Sequence, residues 1–226
     1  PGGKNVLELP TAAGVTPLTV DAARKLPYVK VDVARVVAAA RKHCAEYWYG
    51  LYLQGKKLGF AQMGCRVRRW KGRTVLERSS RMVMQAQLYT TRVRLESKTH
   101  ALFDADKTGE LLRYEYSVDS AQQKKSVLVT RKPDGWHVLR TYQAGAIRKP
   151  PERKVLKVVR TALGNGETAI SALLAEGKLT PGQRYRYVEF DPEKVEDQDG
   201  AAQLLATGVR SLRGVKVKLY KLEMLE

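Results

Sequence analysis

The chain has 226 residues, 43% of them hydrophobic, enough to bury a full core in one domain of ordinary size. Lysine and arginine outnumber aspartate and glutamate 41 to 23, and the resulting charge of +18 favours polyanionic partners over basic ones. No apolar run reaches about 18 residues, which excludes a membrane-spanning helix, and residues 1–14 lack the layout of a secretory leader, so the chain is expected to be cytoplasmic or to have lost its leader.

In chain order, Pro1-Gly2-Gly3, Pro10, Gly14 and Pro17 break up the first stretch, so residues 1–30 are expected to form an N-terminal arm and 31–226 a single α+β domain. From Asp32, a good N-cap, the apolar positions Val33, Val36, Val37, Ala40, Cys44 and Tyr47 recur at helical spacing opposite Arg35, Lys42 and Glu46. That predicts an amphipathic helix of about four turns.

After Tyr47 the period becomes two for most of the next hundred residues. Turn signals fall at Gly55-Lys56, Lys71-Gly72, Asp104 to Gly109, Ala121 to Gln123 and Pro133-Asp134-Gly135. The pattern predicts a meander of antiparallel strands with one packed and one wet face. Gly145 to Lys157 holds Pro150-Pro151 among Arg148, Lys149, Arg153 and Lys154, so it cannot be a central strand and reads as a basic connector. Glu167 to Glu176 reads as a short helix ended by Gly177, Tyr185 to Phe190 as a strand, and Leu204 to Leu225 as one or two more around Arg213-Gly214.

The expected architecture is mainly β: a strongly curved antiparallel sheet, an incomplete barrel wrapped around a helix, in the manner of lipoprotein carriers. Alternation runs on to the last residues, so the chain is expected to be a piece of a longer protein.

Few residues point to chemistry. Cys44 and Cys65 make neither a zinc nor a redox motif and read as small buried hydrophobes, with a disulfide as the alternative in an exported chain. His43 and Cys44 are neighbours on one helix and project about 100° apart, so they do not form a nucleophile and base. His100 and His137 fall in different strands and read as ordinary strand residues. Asp104, Asp106, Thr108, Gly109 and Glu115 match spacings of a calcium loop but lie between strands, so a hairpin turn is expected. Gly164-Asn165-Gly166 precedes a helix without the lysine of a phosphate loop. No catalytic residue, cofactor or metal is therefore assigned. The densest basic cluster with a ring is Arg66, Arg68, Arg69, Trp70, Lys71 and Arg73, the candidate contact for an anionic polymer by charge and stacking.

Four segments together resemble the non-catalytic N-terminal region of bacterial transglutaminase-like proteins: Trp48 to Phe60 with its Gly-Lys-Lys turn, Phe103 to Leu112, Leu179 to Tyr185, and Phe190-Asp191-Pro192. In that family the catalytic residues lie in a separate downstream domain. The resemblance therefore implies a module that is not an enzyme, acts by docking or substrate positioning, partners a downstream catalytic domain or another protein, and is often exported or membrane-attached. Two other readings stand beside it: a half-barrel carrier or sensor for an apolar ligand such as a lipid, and a polyanion-binding module using basic strand faces.

Overall fold

The computed structural model describes residues 10–16, 18–43, 46–53, 56–88, 91–212 and 215–225. The described residues form three helices and twelve strands in the order α1 (Val20–Arg24), α2 (Val33–His43), β1 (Glu46–Leu53), β2 (Lys56–Trp70), β3 (Arg73–Leu88), β4 (Thr91–Asp104), β5 (Leu111–Ser120), β6 (Gln123–Lys132), β7 (Gly135–Ala144), β8 (Ile147–Arg148), β9 (Glu152–Leu156), α3 (Glu167–Ala175), β10 (Arg184–Asp191), β11 (Glu196–Leu212) and β12 (Val215–Leu225). Strands β1 to β8 neighbour one another in chain order, β9 pairs with β7, and β10 to β12 form a second sheet. All ladders between the strands are antiparallel, and among the described residues no pairing joins β1 to β8 or β9, so the large sheet is not closed into a barrel.

The meander follows the period-two pattern, and the β2–β3 turn shows the chemistry behind it, whereas the break between β3 at Leu88 and β4 at Thr91 carries no turn signal in the sequence. Between β2 and β3, Lys71 (φ 47°) and Gly72 (φ 80°) both adopt left-handed backbone, the requirement of a tight two-residue hairpin. At Gly59 a Cβ would lie 1.8 Å from the Val83 carbonyl oxygen, so only glycine lets β2 approach β3 there.

Helix α2 begins as expected: Asp32 Oδ1 accepts from the Ala34 N–H at 2.8 Å and the Arg35 N–H at 3.4 Å. It is shorter than expected, eleven residues instead of about four turns, and Tyr47 belongs to β1. The basic connector also differs in part: it includes two short strands on the rim of the large sheet, where prolines are tolerated. Within the stretch read as an arm, α1 packs Ala23 with Leu18 and Ala201, and the Val29 N–H donates to the Arg186 carbonyl.

The main core lies between one face of the large sheet (Leu76, Phe103, Tyr114, Val129, Val138) and a layer made of α2, α3 and the second sheet (Val36, Ile170, Phe190, Leu204). Each fully buried leucine or phenylalanine there contributes roughly 1.5–3 kcal/mol. Tyr114 and Phe190 meet edge to face at 5.2 Å and join the two sheets. Arg78, pointing into the same interface, is held by Glu167 at 2.5 Å and Glu189 at 3.7 Å. Cys65, on the core face of β2, is disulfide-bonded, which corrects the reading of two buried thiols; the placement of Cβ and sulfur atoms that a disulfide requires is set by the fold and not revealed by sequence spacing. Cys44, the chain's other cysteine, lies outside the described residues.

Candidate functional site

The β2–β3 hairpin holds its six predicted contact residues in one place but engages several of them internally. Register sets Arg66 opposite Glu77, and the carboxylate of this 9%-exposed side chain accepts from Arg66 Nε at 2.7 Å, from Arg68 Nε and from His100 Nε2 at 2.6 Å. Burial pushes the Glu77 carboxyl up, but the hydrogen bonds from Arg66, Arg68 and His100 outweigh it and bring its pKa down to about 2. The Arg69 guanidinium donates to the Gly72 carbonyl at 3.1 Å. Trp70 packs beside Val75, Leu102 and Leu112 with Lys71 over its ring at 4.9 Å. Arg69, Lys71 and Arg73 remain exposed at the tip.

A second basic region lies on β4 to β9. Across β4, β5, β6 and β7 the residues Lys98, Ser117, Ser126 and Thr141 stand in one cross-strand row, and beyond them Glu96, Asp119, Lys124 and Gln143 in the next. These two rows floor a cleft of about 410 Å³ with Arg148 of β8 at its wall. Both of its carboxylates are already compensated: Glu96 by Arg81 at 2.8 Å, Arg94 at 2.9 Å and Lys98 at 3.1 Å, and Asp119 by Lys124 at 3.2 Å. The hydrogen bonds from Lys98 and Arg81 hold Glu96 below the ordinary carboxylate range.

A second cleft of about 260 Å³ shares Lys125, Ser126, Thr141 and Tyr142 with the first and adds Arg140, Lys149, Pro150, Glu152 and Glu193. Arg140 pairs with Glu152 at 3.4 Å, and the Tyr116 hydroxyl donates to Glu193 at 3.3 Å. Burial and then the charge of Glu193 push the Tyr116 phenol up to about 12, so it stays a donor at neutral pH.

The charge balance therefore differs between the sheet's interior and its rim. Most strand-face arginines, such as Arg66, Arg78, Arg81, Arg113 and Arg140, face a carboxylate. Lys125, Arg148, Lys149, Arg153, Lys154 and Lys157 have no ion pair among the described residues. Five of these six are exposed and follow one another along the β8–β9 rim. Their signal was present in the sequence as cations around Pro150-Pro151, but reading that stretch as a connector hid that it lines the sheet's edge. The spatial link from Lys125 to this rim depends on the pairing of β6, β7 and β8.

Other motif positions serve the fold. Asp104 Oδ1 accepts from the N–H groups of Asp106 (2.9 Å) and Lys107 (3.2 Å), a turn between β4 and β5. In the Gly164–Gly166 loop, the N–H groups of Asn165 and Gly166 donate to the Ala162 carbonyl, and Glu167 and Glu189 face the helix start, an arrangement unfavourable to an anion. His137 bonds to Asp134 at 2.8 Å and lies three strands from His100, with β5 and β6 between them, so the two do not meet. Among the described residues no group of three or more histidine, cysteine or acidic side chains is placed to hold a metal, and no helix is long and apolar enough to cross a membrane.

Comparison with known protein families, curated proteins and solved structures found no match to this chain. The transglutaminase-like resemblance therefore rests on the quoted segments alone.

Proposed function

We propose that this chain is a binding module without catalytic chemistry of its own, and that it holds an anionic polymer along the β8–β9 rim and the two adjoining clefts. The observation that carries this reading is the gathering of Lys125, Arg148, Lys149, Arg153, Lys154 and Lys157, none paired to a carboxylate among the described residues, while strand arginines elsewhere are largely matched. Uncompensated cations attract a polyanion, and release of its counterions drives association. The β2–β3 tip, with Arg69, Lys71 and Arg73 exposed, is a secondary contact in this reading.

The finer shape belongs to the same proposal: an incomplete barrel curving around α2, of the lipoprotein-carrier kind but without cargo. Val36, Val37 and Ala39 of α2 are buried in the main core, and both clefts carry charged linings, which favours a packed interior over an acyl-chain carrier. A role through contact also agrees with the resemblance to the non-catalytic region of transglutaminase-like proteins, where such a module would position a polymer or partner for a downstream domain. The Cys65 disulfide supports an oxidising compartment.

The test is titration of a fluorescent heparin oligosaccharide into the wild-type protein and into an Arg148→Glu/Arg153→Glu/Lys154→Glu variant. The wild type is expected to bind and the variant to lose at least about tenfold in affinity. Equal affinity of the two proteins would overturn the assignment of the rim.

A further inference from the structure

Building on the polyanion reading, we infer that the polymer is an acidic glycan and not a nucleic acid. The first ground is the floor of the larger cleft. Ser117, Ser126 and Thr141 follow one another across β5, β6 and β7, so a hydroxyl recurs about every 4.8 Å, the spacing of neighbouring strands. Ser126 Oγ and Thr141 Oγ1 are hydrogen-bonded to each other at 2.7 Å, which leaves acceptor capacity on each and a free donor on one. In the next row, beside the paired charges of Glu96, Asp119 and Lys124, the Gln143 amide carries the uncharged polar floor toward Arg148. Hydroxyl and amide groups with cations at their margin match a chain of ring hydroxyls interrupted by carboxylate or sulfate groups.

The second ground is the state of the aromatic rings beside the basic surface. Single-stranded nucleic acid binds by stacking its bases on open ring faces. Here Lys149 lies over Tyr142 at 5.2 Å, Arg131 over the buried Trp136 at 4.2 Å, and Lys71 over Trp70 at 4.9 Å. Trp48 is 59% exposed but sits in β1, at the opposite end of the nine-stranded sheet from the clefts. Of the rings that line the clefts, Tyr142 has Lys149 over it and Tyr116 is tied through its hydroxyl to Glu193, so a base stacking on Tyr142 would have to displace a cation, whereas a sugar needs no stacking platform.

The experiment compares a heparin oligosaccharide with a single-stranded oligothymidylate of matched charge, on wild type, Ser126→Ala/Thr141→Val and Ser117→Ala. The Ser126 and Thr141 changes remove both partners of one hydrogen bond, which is nearly neutral for folding, and Ser117→Ala provides a milder second variant. The expected result is tighter oligosaccharide binding by wild type and a loss of about fivefold in either variant, the size of a neutral hydrogen bond, with oligothymidylate binding unchanged. Preference for oligothymidylate, or equal losses for both ligands, overturns the glycan inference while the polyanion reading stands. Failure of both ligands to bind wild type overturns the polyanion reading itself, and the glycan inference with it.

Discussion

Glu77 shows how a single carboxylate organises the outer face of the large sheet. It sits 9% exposed between Arg66, Arg68 and His100, and its pKa of about 2 lies below that of an unfolded glutamate. A depressed carboxylate contributes stability fully above its unfolded pKa and loses it as pH falls toward the folded value. Urea unfolding between about pH 5 and 2 should therefore show stability declining with acid, and Glu77→Gln should flatten that decline. At neutral pH the variant is expected to cost about 1–2 kcal/mol, a modest figure because Arg66 is 68% exposed and water screens it once its partner is gone. Neither arginine could be assigned to Glu77 by inspection of the sequence, because they are 11 and 9 residues away and only the β2–β3 register brings them together. The same blind spot made Arg66 and Arg68 look free for a ligand.

At the scale of elements, the sequence was most legible where local chemistry decides the outcome. Asp32 capped α2 as its residue type predicts, and Asp32→Ala is expected to lower stability by about 1 kcal/mol in chemical denaturation. Most of the strand meander from β1 to β7 followed from period-two alternation and turn residues for the same reason, but the break between β3 and β4 did not, because no glycine, proline, asparagine or aspartate marks it. The rim strand β9 was harder to read, because Pro150, Pro151 and a run of cations oppose central-strand pairing and only docking on β7 reveals a strand. The disulfide at Cys65 was equally hidden, since bonding depends on three-dimensional placement that residue spacing does not give. Charge on β9 also protects an otherwise open sheet edge from pairing with other chains. Replacing Arg153 and Lys154 by serine is therefore expected to raise self-association, measurable by light scattering, as well as to weaken polyanion binding.

For the whole molecule, the charge of +18 alone would yield weak, diffuse binding to any polyanion, so a specific site is distinguished by where the affinity resides. An unmodified sample should contain no reactive thiol before reduction and two after it, consistent with the bonded Cys65 and a chain of two cysteines. The decisive experiment is the salt dependence of heparin-oligosaccharide binding in three proteins: wild type, Lys125→Ser/Arg148→Ser/Arg153→Ser/Lys154→Ser, and Arg69→Ser/Lys71→Ser/Arg73→Ser. A site on the rim should give a wild-type slope of log affinity on log salt of about −5, with most of it lost in the rim variant and little in the hairpin variant. Equal, small losses in both variants, or a larger loss in the hairpin variant, would contradict a binding site on the β8–β9 rim.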